Sequence, residues 1–326
     1  MRRKLALPLL LVLALLIAPS CAPTPTPGAP TKVKLAMGSI PNVQFAPVYV
    51  ALHKGYFAAE GLELELDYGM EADIITLLGT GKLEFAIGSG DQVILARAQG
   101  LPVVYVYNWY NRFPVSIVAL EKSGIREPKD LIGKRIGIPA LHGASYIGLR
   151  ALFEATGIPE SSVQLQAIGY TQVAALTNGL VDAAVCYYMN EPVQLQLAGE
   201  RITQILVADY VSLPTNGILT SEEVIKAKPE VVQRLCRAFH KGLLDTLARP
   251  DEAFAIAKEF VPEIAQNEAA QRAVLDAAVQ LWSSEHPGQS DPTVWQQAVE
   301  FMARAGLLAQ KVDIESMVTN RFVPQE

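Results

Sequence analysis

Five short stretches of this 326-residue chain hold side chains suited to recognising a small molecule. Asn108-Trp109-Tyr110-Asn111-Arg112-Phe113 sets three aromatic rings among two amides and a guanidinium. Ring faces stack on a flat ligand, and polar edges fix its orientation. Tyr187-Tyr188-Met189-Asn190-Glu191-Pro192 repeats that mixture. Gly38 to Phe45 offers the Asn42 and Gln44 amides and the Phe45 ring. In Ser89-Gly90-Asp91-Gln92, small residues let a ligand approach backbone, and Asp91 can accept from a ring N–H with Gln92 beside it. Leu141 to Tyr146 places the Ser145 hydroxyl at a helix start, where free amides can hold an anion or a carbonyl. No Gly-Lys-Ser/Thr follows, so it is not a P-loop.

The chemistry available is non-covalent capture. No set of nucleophile, base and orienting group is present. His142 with Asp91 is the nearest approach to a base pair, and His142 reads better as an exposed or hydrogen-bonded side chain. Four His and three Cys without C-x-x-C or H-E-x-x-H leave no metal site, and no cofactor is expected. Each stretch also has a structural reading: Asn42 and Gln44 can cap the next helix, Asp91 can be an N-cap, and the 108–113 rings can pack a hinge. Tyr187 and Tyr188 alternate along a strand, so only one of them faces a given side.

These stretches follow strands. Val33–Met37, Leu62–Asp67, Phe85–Ile87 and Val103–Tyr107 read as strands, separated by helices over Ala46–Gly55, Ala72–Gly79 and Asp91–Gln99. This rhythm predicts a parallel-rich α/β sheet, in which ligands bind beyond the carboxyl ends of strands. The pattern then recurs. Gly81–Ile87 resembles Gly179–Val185, and Lys32–Met37 resembles Lys134–Ile138, which suggests two similar α/β lobes. From Ser221 onward the chain turns helical, with helices over 222–226, 230–247, 252–260, 268–282 and 292–305 that can complete the first lobe.

Half the residues are hydrophobic and 18% are charged, an ordinary globular composition. The net charge of −6 argues against a nucleic-acid partner. Met1-Arg2-Arg3-Lys4 precedes an apolar run from Leu5 to Ala18, too short to span a bilayer and typical of an export signal. Ala18-Pro19-Ser20-Cys21 resembles a bacterial lipoprotein cleavage site, with Cys21 as the lipid-bearing residue and Ala18 where Leu is usual. Residues 1–20 are then the signal peptide. Residues 21–31, rich in proline, form a tether that holds the folded body outside the membrane. Cys186 and Cys236 can pair in an oxidising compartment or lie buried as thiols.

From Lys32 to about Pro262 the chain resembles the type II periplasmic solute-binding proteins of ABC importers, in the branch of thiamine-pyrimidine-precursor, riboflavin, alkanesulfonate and nitrate binders. The phrases that carry the resemblance are Val48 to Phe57 (VYVALHKGYF) with Glu60-Gly61-Leu62, Leu78 to Phe85 (LGTGKLEF), Ala96 to Val104 (ARAQGLPVV) and Pro128 to Lys134 (PKDLIGK). The resemblance implies two lobes with a ligand in the cleft between them. Crossings fall near Pro114–Leu120 and Thr215–Thr220, so that lobe one is 32–116 plus 219–326 and lobe two 117–218. It also implies an ABC permease and ATPase as partners, and a monomer. Pyrimidine binders of the branch carry Asp-Trp after the first strand, where this chain has Gly38-Ser39. The ring-rich loops and the single clear cation, Arg112, favour a planar heterocycle over a sulfonate or nitrate. Riboflavin leads, and a thiamine pyrimidine precursor follows. A sensor signalling through a membrane partner and a pyrimidine-synthase-like enzyme are the other readings.

Overall fold

The computed structural model describes residues 29–325. Cys21, the signal segment and most of the tether lie outside them. The body holds two five-stranded sheets. The first contains β1 (Thr31–Met37), β2 (Leu62–Tyr68), β3 (Phe85–Ser89), β4 (Val103–Asn108) and β10 (Asn216–Ser221), in the order β2-β1-β3-β10-β4. The second contains β5 (Val115–Leu120), β6 (Arg135–Ile138), β7 (Gln164–Ala167), β8 (Ala183–Tyr187) and β9 (Ile202–Leu206), in the order β7-β6-β8-β5-β9. In each sheet four strands run in one direction. One antiparallel strand, inserted beside the third, belongs by sequence to the other half of the chain. This shared order is the structural counterpart of the internal repeat: β3 and β8 occupy equivalent places, and Gly81 and Gly179 before them both adopt positive φ.

The chain crosses between lobes earlier than the resemblance implies. Val115–Leu120 is a strand wholly inside the second sheet, and Asn216–Ser221 one wholly inside the first. The crossings are therefore residues 109–114 and 207–215. They are bonded to each other: Trp109 and Tyr110 donate their N–H groups to Asn216 O at 2.9 and 3.1 Å, and Thr215 Oγ1 donates to Tyr110 O at 2.6 Å. The sequence places the apolar runs correctly, but an apolar strand reads the same in either sheet. Only its pairing partners assign it.

Helices cover both sheets. On the first lobe lie α1 (Ala46–His53), α2 (Tyr56–Ala59), α3 (Glu71–Gly79) and α4 (Gly90–Ala98). On the second lie α5 (Gly143–Thr156), α6 (Gln172–Thr177) and α7 (Glu191–Leu197). The helical section returns to the first lobe as α8 (Glu222–Ala227), α9 (Pro229–Ala248), α10 (Pro250–Phe260), α11 (Glu268–Trp282), α12 (Pro292–Arg304) and α13 (Ile314–Met317). Helix α9 buries Val232, Leu235, Phe239 and Leu243 against the lobe, each worth about 1.5–3 kcal/mol on full burial. It packs closely on α1 because Gly242 has no side chain: a Cβ there would sit 2.3 Å from Pro47 O.

Cys186 and Cys236 are both buried free thiols in separate hydrophobic clusters, one in β8 and the other in α9. Of the two alternatives the sequence leaves open, the structure shows the buried thiols.

Candidate ligand-binding cleft

Between the lobes lies a cavity of about 770 Å³, within the usual size range of small-molecule sites. Its floor is aromatic. Phe45, Trp109, Tyr110 and Tyr187 line it. Trp109 is the centre of the cluster: its ring lies 6.3 Å from Phe45, 5.1 Å from Tyr110, and 5.4 Å from the Trp282 ring behind it. These contacts hold Trp109, which is only 2% exposed, at the cavity lining.

Around this floor, four polar atoms on the lining residues have no hydrogen-bond partner within the protein: Gln44 Oε1, Trp109 Nε1, Gln172 Oε1 and Glu191 Oε2. Leaving a buried polar atom unpaired costs about 1–3 kcal/mol. The four come from both sides of the cleft, Gln44 and Trp109 from the first-lobe side and Gln172 and Glu191 from the second. The surrounding bonds hold these groups in place. Asn42 Oδ1 accepts from Gln44 N at 2.8 Å, so Asn42 caps the turn that presents Gln44. Asn190 Nδ2 donates to Glu191 Oε1 at 3.2 Å, and Gln194 Nε2 donates to Asn190 Oδ1 at 2.7 Å. Burial pushes the Glu191 carboxyl up to about 7.

The wall carries three carboxylates, Glu71, Glu191 and Glu263, and one imidazole, His142, but among the described residues no Lys or Arg. Arg112 pairs instead with Asp209 of the other crossing and is absent from the wall. An anionic ligand would meet no cationic side chain here.

Of the residues singled out from sequence, Asn42, Gln44, Phe45, Trp109 and Tyr110 line the cavity, as do Ser145, Tyr187, Asn190 and Glu191. Asp91, Gln92 and Tyr188 do not. Asp91 is fully buried in the first turn of α4, where Gln92 Nε2 donates to it at 2.7 Å. Burial and the neighbouring Glu71 charge raise its carboxyl to about 7. It stands behind the wall because the turn after β3 directs it into the lobe. The N-cap of α4 is Ser89, so Asp91 is not the cap either. Of the tyrosine pair, Tyr187 faces the cavity, as alternation requires of one of them.

The sequence reading misses Glu71, Tyr170 and Gln172, which follow the ends of β2 and β7, and Glu263 and Gln271 from the helical section. The strand-end rule reaches the first three, since it applies to β2 and β7 as it does to β1. No local signal marks Glu263 or Gln271, which only the return of the chain onto the first lobe brings to the cleft.

Comparison with known proteins agrees with this architecture. The chain is 43% identical over 318 residues to the riboflavin-binding protein RibY of Chloroflexus aurantiacus, covering 94% of this chain and 90% of that protein. It is 28% identical to the formylaminopyrimidine-binding protein of Halalkalibacterium halodurans, covering 94% and 95%. The periplasmic aliphatic sulphonate-binding protein SsuA of Escherichia coli superposes with a TM-score of 0.69 at 15% identity, covering 88% and 96%, a likeness of fold. The model of the NMT1/THI5-like family matches residues 42–253, more than half of the sequence, and the chain belongs to that family.

Proposed function

We propose that this protein is the extracytoplasmic solute-binding subunit of an ABC importer, and that it captures riboflavin between its lobes for delivery to a membrane permease and its ATPase. The observation that carries this is the composition of the cleft: an aromatic floor, a ring of unpartnered polar atoms, and a wall without Lys or Arg. A flavin presents a flat three-ring system with amide-like edges and a neutral polyhydroxyl chain, and each part has a counterpart there. Offset stacking on rings such as Trp109 and Tyr187, with hydrogen bonds to Gln44, Gln172 and Glu191, would hold it. The 43% identity to a protein named for riboflavin binding supports the same choice.

The fold supplies the mechanism of capture. Ligand bridging the two lobes favours the closed arrangement, and closure joins both outer faces into one surface for the permease. The site binds and releases without chemistry, so no catalytic residue is assigned. The subunit acts as a monomer, held at the outer membrane face by lipid on Cys21 and the proline-rich tether.

The test is titration of the purified mature protein with riboflavin, following flavin fluorescence. Tight quenching, with a yellow protein after desalting, is the expected result. Absence of binding at micromolar concentrations removes the flavin reading. The second reading, a thiamine pyrimidine precursor, rests on the 28% identity to a formylaminopyrimidine-binding protein. A single ring would leave much of the 770 Å³ unfilled, and competition calorimetry against riboflavin separates the two.

A further inference from the structure

Glu71 is the first residue of α3, on the first lobe, yet its carboxylate joins both lobes. Its Oε1 accepts from Ser89 N at 2.5 Å and from Ser89 Oγ at 2.8 Å. The carboxylate also accepts from the backbone N–H of Ala144, in the first turn of α5 on the second lobe. Ser89 is the N-cap of α4, so the group lies where two helix N-termini converge across the cleft. Two glycines make room for it. A Cβ on Gly88 would approach Glu71 Oε1 to 3.2 Å, and one on Gly38 would approach Glu71 Cβ to 3.3 Å.

Backbone amides at helix N-termini, with a hydroxyl beside them, are the usual means of holding an anionic ligand group. Here the protein's own side chain takes those donors. Burial raises the carboxyls of both Glu71 and its neighbour Asp91, and it is Glu71 whose oxygens take the Ser89 and Ala144 donors at the cleft.

We propose that Glu71 is the specificity-determining residue that keeps anionic ligands out of this cleft, by filling from within the position that a ligand's phosphate or sulfonate would otherwise occupy. A ligand entering beside it must be free of formal negative charge at that end. The inference rests on reading the cavity as the ligand site, and it does not depend on which neutral ligand binds.

The experiment uses methanesulfonate and inorganic phosphate as probes on the mature protein, with chloride at equal ionic strength as control. Thermal unfolding is the readout. In Glu71→Ala and Glu71→Ser the freed donors bind the probe, and Tm rises by about 3 °C or more over the control, while the unsubstituted protein shows no such rise. A rise of equal size in the unsubstituted protein, or none in either variant, overturns the proposal. If neither small variant folds, Glu71→Gln decides it. The neutral isostere still fills the position, so no rise in Tm with either probe is expected of it, and a rise overturns the proposal. Riboflavin titrated on the same samples keeps the readings apart. An anion response without flavin binding retains Glu71 and removes the flavin. Flavin binding without an anion response does the reverse.

Discussion

Tyr187, at the end of a second-lobe strand, donates its hydroxyl to Asn216 Oδ1, at the start of a first-lobe strand, across 3.3 Å. Both residues line the cleft. The bond therefore spans the lobes at the wall of the site, beside the crossing segments. Tyr187→Phe keeps the ring and removes the bond. Riboflavin affinity is expected to fall by roughly 3- to 10-fold, the worth of one net hydrogen bond. Equilibrium fluorescence titration measures it. An unchanged Kd would mean that this contact plays no part in the bound state.

Gln44 separates ligand binding from stability by sign. Its Oε1 has no partner within the protein. Gln44→Met preserves length and removes the buried polar atom, so Tm should stay the same or rise slightly. Riboflavin binding should weaken about 5-fold, because the ligand loses a hydrogen-bonding group. Paired thermal unfolding and titration read the two effects. If Tm falls and affinity holds, the side chain is structural.

Asp91 and Glu191 set a pH dependence. Burial, assisted at Asp91 by the Glu71 charge, raises each to about 7, from 3.8 and 4.5. A folded-state pKa above the unfolded one means that the folded protein binds the proton more tightly. The associated stability is complete below the unfolded values and is lost as pH rises through about 7. Glu60 and Asp182 behave oppositely: held low chiefly by hydrogen bonds from Arg237 and Arg135, they contribute above the unfolded carboxylate range and fail in acid. Tm should therefore drop by roughly a few degrees from pH 5.5 to 8. Asp91→Asn, which cannot ionise, should show a shallower drop. Equal slopes for the two proteins would count against a buried proton on Asp91.

Cys21 lies before the described residues, and its role is testable by location alone. In a bacterial host, Cys21→Ser is expected to move the protein from the membrane fraction to the soluble one and to abolish labelling with palmitate. Retention of the variant in the membrane fraction would refute the lipid anchor.

Periodic elements were legible because their physics is local. The alternation of Leu62 to Asp67 and the acidic starts of the later helices need no distant partner to be read. The equivalent strands β3 and β8 were legible for a related reason, since the same turn and the same apolar run recur in both halves. The rings and amides at strand ends also announced a cleft, and Trp109, Tyr110 and Tyr187 stand on its wall.

What the tertiary structure decided was partnership. Val115–Leu120 joined the second sheet and Asn216–Ser221 the first because strand pairing, not composition, assigns a buried apolar run. Asp91 turned inward and Tyr187 outward because backbone direction at a strand end selects the face. Glu71 attracts no notice as an acid at a helix start. It becomes a bridge only when α5 of the other lobe brings Ala144 N–H to it. By itself the sequence determined the two-lobed α/β class and the rings and amides that stand at strand ends. Which charges face a ligand depended on contacts between residues far apart in the chain, and those arise only when the lobes come together.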